Sequence, residues 1–373
     1  MATKILIACC CRDAFASYHH AVQLAKSIDA SEFEIHLAIL TRHNRLRRDL
    51  AADSDVSVTV IPHRYGSWAS ISSLRRWIQK IRPAAVQSLA SPIHSVVQFA
   101  AHSCRIPSVL YHDHDGDVQG SLPAADRWIR TWLRPPTASV VPQTYFSQRV
   151  DRRVPSSAIY TIPAYPLLQT SALDRATVLQ RLGLPENAVW AAGVGPWSAD
   201  SRWKDLIWAT DLLRVVDDRF HVVFFGEPTT LDDRWRLERF RSQVEIADKV
   251  HFAPALLDLP EVLSHADMFW SATKRNRYSP WLASGLALGI PIVASNTAAH
   301  CELFSANERT AVVPFADRAA YAKATWQWLK AGVIRAMRSN NAATADDIAS
   351  QWQSVWKAAS QPQTGTPADR ATV

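Results

Sequence analysis

Residues 266–304, ADMFWSATKRNRYSPWLASGLALGIPIVASNTAAHCELF, constrain the fold more tightly than any other stretch of this chain. Met268-Phe269-Trp270 is a short apolar run ending in small and polar residues, the pattern of a buried strand. A basic loop follows, Lys274-Arg275-Asn276-Arg277. Pro280 suits the first turn of a helix whose Leu282, Leu286 and Leu288 point inward, and Gly289 stops it. Pro291-Ile292-Val293-Ala294 is the next buried strand. Strand, loop, helix and strand in this cadence predict an α/β unit with a parallel sheet, which binds ligands at the loops leaving the carboxyl ends of its strands.

The same rhythm runs through the rest of the chain. Residues 4–8 read as a strand, 18–27 as a helix with Ala21, Leu24, Ala25 and Ile28 at helical spacing, and 34–40 as a strand, giving a β-α-β start. Strands at 56–61, 84–89, 108–111 and 138–141 continue this first series, with helices at 70–81 and 93–104 between them. A linker at 168–175 leads to a second series. It runs through a helix at 175–184, strands at 189–194, 221–225 and 250–252, and helices at 204–216, 231–246 and 259–265. Helices at 319–331 and 348–358 close the chain, the last with Trp352 and Trp356 four positions apart.

At 373 residues the chain is long enough for two α/β domains, each able to bury a core, and 48% hydrophobic content fits a globular protein. The longest apolar run, 281–294, is broken by Ser284, Gly285 and Pro291 and reads as core, not as a membrane span. The start, MATKILIACC, reads as a first strand and not as a signal peptide. Five cysteines include the consecutive Cys9-Cys10-Cys11, whose side chains alternate between the faces of a strand; they read as reduced structural thiols, not as a compact metal site. The net charge of +7 is uneven: through residue 172 there are 19 Lys and Arg against 12 Asp and Glu, and beyond it 22 against 22. A basic first half suits an anionic membrane, glycan or nucleic acid, or simply a solvated face. No organised basic and aromatic surface or recognition motif points to specific nucleic-acid binding.

Residues 266–304 also resemble, without a gap, the signature of the retaining glycosyltransferases of group 1 (family 4), two-domain proteins of the GT-B fold. The shared positions are Ala266-Asp267, Phe269, an aromatic at Tyr278, Ala287, Gly289, Pro291, Val293-Ala294 and Glu302-Leu303. The resemblance implies an α/β architecture of two Rossmann-like domains facing across a cleft. They would span residues 1–168 on the acceptor side and 169–335 on the nucleotide-sugar side. Helices in 336–360 would pack back on the first domain, and 361–373 would form a disordered tail. It also implies transfer of a sugar from a nucleotide-sugar to a glycan, lipid-linked or small acceptor with retention. No cofactor or metal is needed: the nucleotide-sugar is a substrate, and helix N-termini and cations can stabilise its leaving diphosphate.

Several family positions are changed here. The two family glutamates, eight positions apart, fall on Asn276 and Ser284, so a Ser284→Glu change is expected to tighten nucleotide binding. The Gly-Gly turn that faces the diphosphate falls on Phe15-Ala16, and glycine's positive φ is costly for phenylalanine. After Gly195 the family's Arg and Lys fall on Pro196 and Ser201, leaving Arg202 and Lys204, with Arg275 and Arg277, as candidate cations. Tyr278, Ser279 and Glu302 complete the donor-side set. Because neutral hydrogen bonds are weaker than charged ones, a catalytically silent homologue that binds a glycan, nucleotide or protein partner is the second reading.

His112-Asp113-His114-Asp115-Gly116-Asp117 follows a first-domain strand and has three readings. The resemblance places there a histidine that holds the transferred sugar, matched by His112 or His114. An Asp-x-Asp pair can hold a divalent cation on a diphosphate, and a polar loop can cap a turn. Residues 126–133 place Trp128 and Trp132 among arginines, which suits either core packing or contact with an anionic membrane. The localisation expected is cytoplasmic, with peripheral placement at the inner face of a membrane as the extension of that second reading.

Overall fold

The computed structural model describes residues 2–11, 14–41, 56–62, 68–113, 133, 135–148, 150–168, 173–227, 231–254, 258–304, 308–332 and 345–361. His114, Asp115 and Asp117, the tryptophan-arginine segment up to residue 132, part of the expected linker and nearly all of the expected tail lie outside them.

The first sheet contains β1 (Thr3–Cys10), β2 (Phe33–Thr41), β3 (Ser57–Pro62), β4 (Ala85–Ser88), β5 (Ser108–Tyr111), β6 (Ala138–Val141) and β7 (Ile159–Thr161). Its seven strands are all parallel, in the order β3-β2-β1-β4-β5-β6-β7. The second sheet holds β8 (Val189–Val194), β9 (Phe220–Phe225), β10 (Val250–Ala253), β11 (Met268–Ser271), β12 (Ile292–Ser295) and β13 (Thr310–Val313). It is parallel throughout, in the order β10-β9-β8-β11-β12-β13. In each sheet the order reverses beside its first strand, between β1 and β4 and between β8 and β11, which is where doubly wound sheets open a crevice.

Parallel sheets are covered on both faces, so their strands are continuous apolar runs. In β1, Ile5, Ile7 and Cys9 join the core on one face, and Leu6, Ala8 and Cys10 join the core on the other. The alternation expected for the cysteines is therefore present, and all five cysteines are free thiols. The edge strand β7 was not anticipated; only three residues long and half-buried, it has too little pattern to register in the sequence.

Helix Ala345–Ser360 packs Ile348, Trp352, Val355 and Trp356 into the first-domain core, against Ile5, Tyr18 and Phe33 among others. Trp356 Nε1 donates to Gln87 Oε1 at 2.6 Å on β4. The chain end thus returns from the second domain and covers the first sheet. Among the described residues no helix is long and apolar enough to cross a membrane.

Candidate active site

A cleft lies where the carboxyl ends of the two sheets meet. Its walls come from the ends of β1, β4 and β5 in the first domain and of β8 and β11 in the second, so it occupies both points of strand-order reversal. Helix Ala16–Ser27 contributes Ala16, Ser17 and His20, and the loop after β5 contributes Asp113. From the other side come Gly195, the segment from Arg277 to Leu282 and His300.

The turn entering helix Ala16–Ser27 keeps a glycine-like shape without glycine. Ala14 has φ 52° and Phe15 φ 63°, both in the left-handed region, and both side chains are buried. Phe15 itself lies behind the cleft wall, its ring edge-on to Tyr18 and His19, while Ala16 lines the cleft. Across from it, Gly195 has φ 147° and open space where a Cβ would stand. Gly226 holds Gly195 in place: a Cβ on Gly226 would sit 1.9 Å from the Gly195 carbonyl oxygen.

Among the second-domain residues expected at the donor site, Arg277, Tyr278 and Ser279 line the cleft with Gly195. Ser279 caps helix Pro280–Ala287 by accepting from the Leu282 amide. Tyr278 is buried, its amide donates to the Asp113 carbonyl at 3.0 Å, and its hydroxyl accepts from the Ala164 amide at 3.3 Å. Burial raises its pKa, so it stays neutral.

The remaining candidates are engaged elsewhere. Asn276 Oδ1 accepts from the Ala298 amide at 2.8 Å, at the start of helix Ala298–Leu303. Ser284 Oγ accepts from the Leu167 amide and donates to the Pro280 carbonyl, both at 2.7 Å. Glu302 spends both carboxylate oxygens on the amides of Thr144 and Tyr145, at 2.7 and 2.9 Å. Arg275 pairs with Asp200, as does Lys274 at 2.7 Å. Arg202 pairs with Asp205 and lies over the Phe315 ring, and Lys204 lies 5.1 Å from the centre of the Phe240 ring. Of these four basic side chains and Arg277, only Arg277 lines the cleft.

His112 also points away from the lining. Its Nε2 pairs with Ser139 Oγ at 3.2 Å and its ring meets that of His94 edge-on. His94 is fixed in turn, with Nε2 donating to the Tyr111 carbonyl at 3.0 Å and Nδ1 facing Ser88 Oγ at 2.8 Å. Among the described residues no group of three or more His, Cys, Asp or Glu is placed to hold a metal ion.

Two histidines that sequence reasoning passed over do line the cleft, His20 and His300. Burial pushes the His20 pKa down to about 4, opposed by the Asp113 carboxylate, and burial also lowers that of His300. Both imidazoles are therefore neutral at physiological pH. Tyr111, beside His20, has its pKa raised by burial and then by nearby Tyr278 and Asp113. A histidine on a helix face leaves no periodic signal, so only the packing of distant elements identifies these two.

Comparisons with known proteins agree with this architecture. Residues 193–331 match the family described as Glycosyl transferases group 1. Anabaena HepE, solved in complex with UDP and glucose, superposes with a TM-score of 0.70 at 15% identity, covering 96% of this chain and 97% of its own. Sucrose-phosphate synthase from Thermosynechococcus elongatus gives 0.66 at 14% identity and 96% coverage of each chain. A UDP-GlcNAc 2-epimerase from Neisseria meningitidis, bound to UDP-GlcNAc, gives 0.63 at 13%, covering 94% of this chain and 99% of that one. No curated protein sequence matches. Residues 193–331 are therefore similar to the group 1 glycosyltransferases, and the chain has the GT-B fold.

Proposed function

We propose that the chain transfers a sugar from a nucleotide-sugar to a glycan, lipid-linked or small acceptor, with retention at the anomeric carbon. The observation that carries this reading is the turn at Ala14-Phe15, which keeps its left-handed backbone and presents Ala16 to the cleft opposite the open Gly195. Left-handed turns without glycine are costly, and such strain persists where the surroundings require it. The start of helix Ala16–Ser27 is thereby aimed at the cleft, where its amides and dipole favour an anion such as a leaving diphosphate. Arg277 supplies a cation on the facing wall. In this reading Arg202, Lys204 and Arg275 act at longer range, and no metal takes part.

A second reading, binding without catalysis, is favoured by a specific observation. Asn276 and Ser284, at the positions of the family glutamates, are both occupied by structural hydrogen bonds, and neither lines the cleft. The test is a panel of nucleotide-sugars incubated with the purified full chain, measuring binding by calorimetry and release of free nucleotide. Nucleotide release supports the transferase. Binding with no release supports the silent homologue, and the absence of both refutes the transferase and leaves the silent reading only a glycan or protein partner.

A further inference from the structure

Three buried polar atoms on residues lining the cleft have no partner among the described residues: His20 Nε2 and Tyr111 Oη from the first domain and His300 Nε2 from the second. About nine in ten buried polar groups in folded proteins are hydrogen-bonded. Fourteen buried side-chain atoms lack a hydrogen-bond partner among the described residues, and three of them belong to residues on both walls of this one cleft, where a bound molecule can supply what is missing. The other residues of the cleft region that were expected to bind, such as Ser284 and Glu302, are already satisfied.

The donor and acceptor character of these atoms narrows the ligand. His300 Nδ1 lies 2.8 Å from the Ser295 carbonyl oxygen, which can only accept, so the ring proton sits on Nδ1. His300 Nε2 is then a hydrogen-bond acceptor and calls for an O–H or N–H donor. The His20 ring stands edge-on to Tyr111 with centroids 5.4 Å apart, and Trp352 lies behind it at 6.2 Å. Tyr111 Oη donates or accepts as its partner demands. Trp270 and Trp281, both almost fully buried, form part of the apolar wall behind the same cleft. An ionised phosphate brings no proton for His300 Nε2. A sugar ring brings several hydroxyl donors and C–H faces that suit the aromatic walls.

We propose that His300, His20 and Tyr111 form a hexose-hydroxyl subsite spanning the two domains, in which His300 Nε2 accepts a hydrogen bond from a sugar hydroxyl. This rests on the reading of the cleft as a donor-sugar site and assigns the sugar's grip to residues other than His112, Asn276 or Ser284. The phosphate portion of a donor would lie away from His300, toward the turn at Ala16 and Arg277.

Saturation-transfer NMR on the full chain tests it. The probes are UDP, GDP and ADP, the conjugates UDP-glucose, GDP-mannose and ADP-glucose, and free glucose, mannose, galactose and N-acetylglucosamine at millimolar concentration. The result expected is saturation of sugar-ring protons in at least one probe. His300→Leu should then weaken that probe about tenfold, while His300→Gln, which restores an acceptor, should weaken it less than about threefold. If His300→Leu fails to fold, Tyr111→Phe carries the test, because it removes only an oxygen that bonds to no described residue. Nucleotide binding with no saturation of any sugar proton overturns the subsite and leaves the donor reading intact. Hexose saturation with no nucleotide binding sinks the donor reading and supports the subsite. Sugar saturation that is unchanged in every folded variant overturns the assignment to these residues.

Discussion

Ala14 and Phe15 show how one costly backbone shape survives without glycine. A left-handed conformation costs an L-residue about 1–2 kcal/mol, and the chain adopts it twice in succession at φ 52° and 63°. Phe15 offsets that cost through its ring, which is 2% exposed and packs edge-on against Tyr18 at 6.4 Å and His19 at 6.5 Å. Phe15→Ala keeps the strain and loses the ring, so it should lower stability by about 3–5 kcal/mol. Ala14→Gly relieves strain and loses only a methyl group, and should stay within about 1 kcal/mol of the parent. Urea denaturation of both variants reads the difference, and equal losses would show that the ring is not what anchors the turn. The sequence pointed to Phe15-Ala16 for this turn, whereas the left-handed pair is Ala14-Phe15 and Ala16 already begins the helix. It could not reveal that burial of the aromatic ring outweighs the backbone penalty, because Tyr18 and His19 acquire their meaning only once the helix forms against the sheet.

At the scale of elements, much of residues 266–304 was legible: β11, helix Pro280–Ala287 and β12 stand where the apolar runs, Pro280 and Gly289 put them, whereas helix Ala298–Leu303 was read as loop and Leu286 and Leu288, expected to point inward, are only partly buried. The roles of polar side chains on those elements were not legible, since each depends on a distant partner. Ser284 was expected to face the donor, but its hydroxyl joins Leu167 and Pro280 in a site only 2% exposed. Ser284→Ala should therefore cost about 1–3 kcal/mol by leaving the Leu167 amide without an acceptor. Ser284→Glu should destabilise rather than tighten nucleotide binding, because it buries a carboxylate; a melting temperature at or above the parent's would contradict this. Helix Ala16–Ser27 carries a second hidden feature in His19 and His20, whose pKa values burial lowers to about 4, opposed by Asp258 and Asp113 respectively. Unfolded histidine titrates near 6.5, so between pH 6.5 and 4 the unfolded chain binds more protons than the folded one. Stability is then complete above about pH 6.5, falls as the pH drops and levels off near 4, with each histidine contributing up to about 3 kcal/mol. Thermal melts across that range should show the decline, and a flat profile would refute neutral burial of the pair.

Across the whole molecule, two kinds of long-range contact hold the domains in one arrangement. The returning helix Ala345–Ser360 is anchored on the first domain by Trp352 and Trp356; the four-residue spacing of the tryptophans pointed to a helix, and the resemblance to the GT-B proteins implied its return. The contacts across the cleft were not legible, because they join residues more than a hundred positions apart: Leu167 with Ser284, Gln143 with Ala299, and Thr144 and Tyr145 with Glu302. Glu302 has the greatest leverage among them. Its two oxygens receive two amides at the start of the one-turn helix Thr144–Ser147, where hydrogen bonds to a charged group are each worth about 1.5–3 kcal/mol before solvent screening. Thr144 is exposed, so the net hold is nearer the lower value, enough to shift an open–closed equilibrium by about tenfold. Glu302→Ala should accordingly favour separation of the domains while leaving each one folded. Hydrogen exchange should quicken at the Thr144 and Tyr145 amides, the radius of gyration from X-ray scattering should rise, and amides of helix Ala345–Ser360 should stay protected because Trp356 remains bonded to Gln87. Unchanged exchange at Thr144 and Tyr145 together with an unchanged radius would show that Glu302 does not set the closure, leaving that role to Gln143, Ser284 and the Tyr278 amide.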